Sequence, residues 1–128
     1  MEMVKPASEL VAEAKAQIEN LTPQQVAAEL ESGARLIDIR EPEELAANGR
    51  IPGSTHAPRG MLEFYADPSS PSYRPEFDPD ARIILTCAAG GRSALAAQTL
   101  RNMGYTNVAH LDGGVTAWKE QGLPIETA

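Results

Sequence analysis

The part of the sequence best suited to chemistry is a cysteine followed by a run of small residues. Cys87 comes directly after the apolar run 83–86, and four small residues separate it from Arg92. This order predicts a buried strand, a tight loop and then the start of a helix. The amides of such a loop, the helix N-terminus and the Arg92 charge would stabilise an anion beside the cysteine. The residues that would form the loop are Ala88, Ala89, Gly90 and Gly91.

The chemistry favoured by this arrangement is nucleophilic attack by the thiolate of Cys87. Thiolate is the reactive form of cysteine, and amide donors and positive charge stabilise it. The same donors would hold the terminal sulfur anion of a persulfide, as an oxyanion hole holds a developing charge. A lone cysteine after a buried strand is also commonly an unreactive packing residue. Because strand, cysteine, small residues, arginine and helix follow in this order, we favour a functional Cys87.

The composition narrows the classes of function. The chain of 128 residues has a net charge of −7, spread along its length, which disfavours nucleic acid as a partner. One cysteine allows no internal disulfide. His56 and His110 lack the spacing of zinc ligands, so we expect them to serve packing and local hydrogen bonds, and we expect no metal or cofactor. No apolar run approaches a membrane span and no secretory signal is recognisable, so we expect a cytoplasmic protein without membrane partners.

Strand and helix signals alternate along the chain. Thr22, Pro23 and Gln25 form the capping pattern of a helix start, and Gly33 is typical of its end. This alternation is typical of an α/β sheet that is mostly parallel, and it places Cys87 at the carboxyl edge where such sheets bind ligands. Strands are expected at 35–39, after the turn 51–58, at 83–86 and at 108–111, and helices over 43–47, 92–103 and 115–121.

Two segments lie outside this alternation. Residues 8–19 place apolar side chains at helical spacing behind Ser8 as an N-cap, which predicts a helical extension over residues 1–20 before a domain over residues 21–128. The proline-rich segment 67–80 predicts a surface excursion within that domain. It is not expected to be a linker, because too little chain remains on either side for two cores.

Several motifs, in order along the chain, resemble the rhodanese family. Residues 36–40 resemble its apolar strand ending in Asp-x-Arg, and residues 49–54 resemble its Gly-His-Ile-Pro-Gly-Ala run, with arginine and serine replacing the usual histidine and alanine. Residues 83–93 resemble its active-site strand and Cys-x-x-Gly-x-Arg-Ser loop. Residues 104–118 resemble its closing Gly-Tyr, Val-x-x-Leu-x-Gly-Gly and Trp pattern. The resemblance extends over roughly residues 21–125.

The resemblance implies one α/β domain whose central, mostly parallel sheet is flanked by helices on both faces. It also implies a sulfurtransferase. Cys87 would take a sulfane sulfur from a donor such as thiosulfate, hold it as a persulfide and pass it to cyanide or a thiol. The thiol acceptor would be a small molecule or a protein, and a monomer and a homodimer both fit the sequence.

The resemblance also assigns roles to charged residues around the loop. Arg92, together with the amides of residues 88–91, would bind the anionic donor. Asp38 and Arg40 would support the loop from the neighbouring strand end, with a purely structural ion pair as the alternative. Arg59 would line the mouth of the pocket, and an ordinary surface arginine is the alternative there.

Two other functions are compatible with the same fold. A phosphatase or arsenate reductase would need five residues between cysteine and arginine, whereas four lie between Cys87 and Arg92. Arsenate reduction through a relay of protein thiols would also need a second cysteine. A non-catalytic binding or regulatory domain is the third possibility, and the presence of both Cys87 and Arg92 argues against it.

Overall fold

Strands and helices alternate along the chain in a computed structural model, which describes residues 3–127. The first two residues of the predicted extension 1–20 and the last residue of the predicted domain 21–128 lie outside the described residues. The elements, in chain order, are α1 (Ala7–Lys15), β1 (Glu19–Leu21), α2 (Pro23–Glu31), β2 (Arg35–Asp38), α3 (Pro42–Asn48), β3 (Thr55–His56), α4 (Leu62–Tyr65), β4 (Ile83–Thr86), α5 (Gly91–Asn102), β5 (Val108–Leu111) and α6 (Gly114–Glu120).

The sheet has the strand order β1-β5-β4-β2-β3, and each pair of neighbouring strands is parallel. The prediction of a mostly parallel sheet is therefore confirmed. The strand that precedes Cys87, β4, is the middle strand, with β5 on one side and β2 on the other. Because parallel strands all end at the same edge, Cys87 lies at the centre of the carboxyl edge of the sheet.

Helices cover both faces of the sheet, as the sequence predicts. Ile83 and Leu85 of β4 belong to a buried cluster that includes residues of α1 and α5, and Ile84 belongs to a second cluster that includes residues of α2 and α6. Side chains alternate between the faces of a strand, so a strand covered on both sides must be apolar throughout. The apolar residues 83–85 are the result, and the last strand residue, Thr86, is buried with its hydroxyl donating to the Cys87 carbonyl oxygen at 3.2 Å. Among the described residues, no helix combines the length and apolar character needed to cross a membrane.

The prediction for the N-terminal helix is wrong at both of its ends. The helix begins at Ala7, after Pro6, whose carbonyl oxygen accepts a hydrogen bond from the Glu9 amide at 3.0 Å, and Ser8 is not its cap. The helix stops at Lys15, and residues 19–21 form the edge strand β1. Strand pairing with β5 determines this outcome, and a strand of three residues is too short to show a periodicity in sequence.

The other predicted elements are confirmed with small shifts. Thr22 caps α2, and its hydroxyl oxygen accepts a hydrogen bond from the Gln25 amide at 3.1 Å. The strand expected after the turn 51–58 lies inside that segment as β3. A short 3₁₀ turn, Arg59–Met61, and α4 were not predicted.

The excursion 67–80 has no helix or strand, but it is anchored in the core. Phe77 is completely buried, and the Tyr105 hydroxyl lies 2.7 Å from the Ala66 carbonyl oxygen and 2.9 Å from that of Phe77. Burial raises the pKa of Tyr105 to about 12. The hydroxyl therefore remains a donor at all ordinary pH values, and it ties both ends of the excursion to the core.

We predict that Tyr105→Phe lowers the free energy of unfolding by about 1–2 kcal/mol, because it leaves the buried Ala66 carbonyl group without this donor. The Phe77 carbonyl oxygen keeps its contact with the Tyr73 hydroxyl at 3.0 Å. Thermal unfolding followed by circular dichroism measures the effect as a fall in Tm. Tyr65→Phe is the matched control, since the contacts of the half-buried Tyr65 with Phe77 and Arg74 are made by its ring, which phenylalanine keeps. Equal Tm changes for the two variants would contradict the anchoring role.

Candidate active site

The Cys87 sulfur lies inside a short loop and is contacted by two backbone amides. Sγ accepts hydrogen bonds from the Gly90 amide at 3.1 Å and the Ser93 amide at 3.3 Å. The cysteine is 1% exposed, and α5 begins four residues after it, at Gly91. Gly90 has a φ of 101°, a conformation that glycine adopts without strain and that directs its amide to the sulfur. The loop thus forms a small set of inward donors at a helix N-terminus.

The first residues of α6 hold the outer side of the loop. The Val115 amide donates to the Cys87 carbonyl oxygen at 2.9 Å, and the Thr116 amide donates to that of Ala88 at 3.0 Å. Gly114 lies so close that a Cβ atom built on it would be 2.6 Å from the Ala88 carbonyl carbon. Because α6 binds the carbonyl groups on one side, the following amides are free to face the sulfur.

Arg92 lies at the mouth of the loop and is paired with Glu44 of α3. Its two terminal nitrogens donate to the two carboxylate oxygens at 2.7 and 2.8 Å, and its side chain is 40% exposed. The hydrogen bonds from Arg92 lower the pKa of Glu44 to about 2, and those to Glu44 raise the pKa of Arg92. The sequence predicted Arg92 at this position. It gave no indication that Glu44 neutralises it.

Asp38 and Arg40 form a buried ion pair where β2 ends. Arg40 Nη2 donates to Asp38 Oδ2 at 2.7 Å and to the Gly49 carbonyl oxygen at 2.9 Å, and both side chains are almost completely buried. These contacts join the end of β2 to the backbone at Gly49, and support of the loop by the pair stays a prediction. Arg40 also borders a cavity of about 170 Å³ that Ala88 and Thr116 help to line.

Arg59 lies on the 3₁₀ turn, and its guanidinium pairs with Glu63 at 3.0 Å. It also lines a groove of about 670 Å³ bordered by Leu10 of α1 and Leu95 of α5. The structure therefore places Arg59 beside a groove of the N-terminal helix, with a carboxylate already bound to it.

Two polar residues outside the predicted site, Ser93 and His110, form a chain of hydrogen-bonding contacts that begins at the Cys87 sulfur. Ser93 Oγ lies 3.5 Å from Cys87 Sγ and 2.8 Å from His110 Nδ1. His110 Nε2 lies 2.8 Å from the side-chain oxygen of Asn20. Burial lowers the pKa of His110 to about 4. The only hint in the sequence is the serine that follows Arg92, because His110 on its own reads as a packing residue. Within residues 3–127, no three His, Cys, Asp or Glu side chains form a group that could bind a metal ion.

The arrangement of loop, helix and sheet has counterparts among known proteins. The family model described as the rhodanese-like domain matches residues 22–121. The chain belongs to this family. Curated relatives of this rhodanese-like domain include a sulfurtransferase of Allochromatium vinosum, 36% identical over 70% of this chain and 76% of that protein. Another is the thiosulfate sulfurtransferase GlpE of Ectopseudomonas mendocina, 33% identical over 88% of this chain and 94% of that protein.

Solved structures of the same fold include proteins with two kinds of description. A Rhodopseudomonas palustris protein of unknown function, described as a possible tyrosine phosphatase, is 43% identical with a TM-score of 0.91 and 98% coverage of both chains. The polysulfide-sulfur transferase homodimer of Wolinella succinogenes is 32% identical with a TM-score of 0.77, over 94% of this chain and 87% of that one.

We predict that Gly114→Ala destabilises the protein by about 1–3 kcal/mol more than Gly122→Ala, because the new methyl group collides with the cysteine loop. Gly122 is the matched control, with a φ of 73° against 62° at Gly114 and no atom within 4 Å of an added Cβ. Both variants share the cost of a positive φ, so the difference in Tm isolates the collision.

The same pair of variants tests the link between α6 and the sulfur. Alkylation of Cys87 by iodoacetamide should slow in the Gly114 variant, because a displaced loop no longer directs the Gly90 amide to Sγ. The Gly122 variant should react like the wild type. Equal alkylation rates in all three proteins would show that α6 does not position the loop.

Proposed function

We propose that this rhodanese-like domain is a sulfurtransferase that moves a sulfane sulfur through a persulfide on Cys87. The observation that carries the proposal is the pair of amides, Gly90 at 3.1 Å and Ser93 at 3.3 Å, that contact Sγ at the N-terminus of α5. Such donors stabilise a thiolate before attack and a sulfur anion after it. The names of the curated relatives support the same reaction class.

The first half of the reaction loads the cysteine. The Cys87 thiolate attacks the outer sulfur of a donor such as thiosulfate, a new S–S bond forms and the S–S bond of thiosulfate breaks. Sulfite leaves with the electron pair of that bond. The negative charge then lies on the outer sulfur of the persulfide, where the loop amides and the dipole of α5 favour it.

The second half of the reaction unloads the cysteine. Cyanide or a thiolate attacks the outer sulfur, and the bond between the two sulfurs breaks with its electron pair returning to Cys87. The products are thiocyanate or a new persulfide, and the Cys87 thiolate is regenerated. Small thiols and protein thiols are acceptors of the same chemical class. The loop amides serve both halves, because the negative charge lies on Cys87 Sγ in the free enzyme and on the outer sulfur, one bond away, in the persulfide.

Arg92 is the residue that would attract an anionic donor to a chain whose net charge is −7. Both terminal nitrogens of Arg92 donate hydrogen bonds to the Glu44 carboxylate. These bonds fix the guanidinium in place, and the carboxylate neutralises its charge at the mouth of the loop. A fixed guanidinium costs less to order on binding than a free one, but its attraction for an anion is weakened. Glu44 therefore weakens the attraction of Arg92 for the anionic donor, and in return it holds the guanidinium in a fixed orientation.

We predict that incubation with thiosulfate adds one sulfur atom to the protein and that cyanide or dithiothreitol removes it. Intact-protein mass spectrometry measures both steps. Cys87→Ser, which keeps the size of the side chain, should show no added sulfur while retaining the wild-type Tm. An unmodified mass under conditions that load a known rhodanese would contradict the proposed function.

The description of the Rhodopseudomonas palustris structure makes phosphatase activity the second candidate. Four residues between Cys87 and Arg92 give a smaller ring of amides than the five expected for a phosphate cradle. We therefore expect little or no hydrolysis of aryl phosphates by the protein preparation that loads sulfur. Efficient hydrolysis that requires Cys87 would overturn the argument from loop size.

We predict that Arg92→Ala lowers kcat/KM for thiosulfate at least tenfold, about 1.4 kcal/mol in transition-state free energy. Arg92→Lys should recover part of the loss, since lysine keeps the charge but lacks the planar pair of donors. Steady-state kinetics with thiosulfate and cyanide measure both variants. Unchanged kinetics for the alanine variant would show that Arg92 has no role in donor binding and only begins the helix.

The balancing role of Glu44 gives a separate prediction. Glu44→Gln keeps the capping contact to the Glu41 amide, which is 3.0 Å long, but it removes the charge that neutralises Arg92. We expect a severalfold lower KM for thiosulfate in this variant, and no such change when Arg92 is already alanine. A lower KM in both backgrounds would show that Glu44 acts on the donor without Arg92.

A further inference from the structure

A chain of hydrogen-bonding groups leads from the cysteine sulfur into the protein and away from the loop mouth. Cys87 Sγ is 3.5 Å from Ser93 Oγ, which is 2.8 Å from His110 Nδ1. His110 Nε2 is 2.8 Å from Asn20 Oδ1. Asn20 and His110 are register partners in the pairing of β1 with β5. The edge strand therefore supplies the last member of the chain, from outside the residues that the family model matches.

The surroundings of Asn20 determine which atoms carry the protons. Its amide nitrogen donates to the carbonyl oxygens of Lys15 at 3.0 Å and Ile18 at 3.2 Å, so its side-chain oxygen faces His110 as an acceptor. Nε2 of His110 must then carry a hydrogen, and neutral His110 presents Nδ1 as an acceptor. The Ser93 hydroxyl oxygen lies 2.8 Å from Nδ1 and 3.3 Å from the Gly90 carbonyl oxygen, and the shorter contact assigns its hydrogen to Nδ1. The oxygen of Ser93 is then an acceptor facing the Cys87 thiol.

We propose that Ser93, His110 and Asn20 form a proton relay that takes the thiol proton of Cys87. The S–H bond breaks as an O–H bond forms on Ser93, and the original Ser93 proton moves to Nδ1 of His110. The products are a thiolate and an imidazolium, and Asn20 Oδ1 accepts the Nε2 hydrogen before and after the transfer. The inference rests on the proposed function, because attack on a sulfur donor requires the thiolate.

The burial of the relay residues both isolates their hydrogen bonds and makes a charged imidazole costly. Ser93 and His110 have no exposed surface, so bulk water does not compete for their hydrogen bonds. Burial lowers the pKa of His110 to about 4, so the imidazole is neutral in the resting protein, but the same burial disfavours the imidazolium that the transfer forms. An imidazolium at this place needs a counter-charge, and the thiolate that forms in the same step provides it.

The other charged groups around the chain are themselves paired. Asp112, which follows β5, is bound to Lys15 at 2.8 Å, and these two charges act on His110 in opposite directions. On the side of the loop, Arg92 is bound to Glu44, and the nearby end of β2 carries the pair of Asp38 and Arg40. A negative charge introduced at Asn20 is therefore the one new unpaired charge beside these ion pairs.

The decisive substitution is Asn20→Asp, because the two accounts of the chain predict opposite signs. In a relay, the new carboxylate stabilises the imidazolium, so thiolate formation moves to lower pH by about one unit. If His110 remains neutral and serves packing only, the added negative charge disfavours the thiolate and moves its formation to higher pH. Thiolate absorbance as a function of pH, with the Cys87→Ser spectrum subtracted, reports Cys87 alone because it is the only cysteine.

Four further proteins complete the test. Asn107→Asp, which places the same charge near the other end of β5, should leave the titration of Cys87 unchanged. Adding Ser93→Ala to Asn20→Asp should abolish the shift to lower pH, because the hydroxyl that links sulfur and imidazole is gone. Ser93→Ala alone keeps the amide that contacts Sγ and should move thiolate formation to higher pH, and Ser93→Thr should restore it.

The outcomes separate the relay from the proposed function. A titration that moves to higher pH or stays in place in Asn20→Asp overturns the relay, as does a downward shift that survives removal of the Ser93 hydroxyl. If Asn20→Asp does not fold, an unchanged titration in Ser93→Ala overturns it equally. The absorbance titration requires no sulfur donor. If the titration shows these shifts but the protein never accepts sulfur from thiosulfate, the relay is supported and the proposed sulfurtransferase function is contradicted.

Discussion

The active loop depends on the two hydrogen bonds that the first residues of α6 donate to it. When the Val115 and Thr116 amides bind the carbonyl oxygens of Cys87 and Ala88, the backbone on the other side of the loop must face inward. The Gly90 and Ser93 amides then meet the sulfur. Gly114 has no room for a side chain because this contact is so close. The glycine pair of the closing motif thus serves the cysteine from a helix far along the sequence.

The buried side chains of Asp38, Arg40, Ser93 and His110 are held in pairs or chains, which is what burial demands of polar groups. Asp38 and Arg40 neutralise each other at the end of β2, and His110 is bound on both ring nitrogens. Arg92, with its carboxylate partner Glu44, extends to the exposed mouth. The edge is therefore rigid beneath the loop and polar above it, an arrangement suited to holding a sulfur anion while reagents enter and leave.

The sequence alone predicts the features that local physics determines. The apolar run before Cys87 and the small residues after it are enough to predict a strand, a tight loop and a helix, and the capping pattern at Thr22 predicts the start of α2. The sequence does not reveal β1, because three residues carry no periodicity and only pairing with β5 defines them. For the same reason it misses Asn20, which gains a role only by lying opposite His110, and the pairing of Arg92 with Glu44.

The central claim is that the amides of Gly90 and Ser93 hold the sulfur through the reaction. Amide proton and nitrogen resonances of the isotope-labelled protein, recorded before and after loading with thiosulfate, test it directly. We expect the Gly90 and Ser93 amides to shift most, with smaller changes at the neighbouring loop residues and a return to the starting positions after cyanide. Unchanged resonances at both amides in a protein that mass spectrometry shows to be loaded would contradict the account.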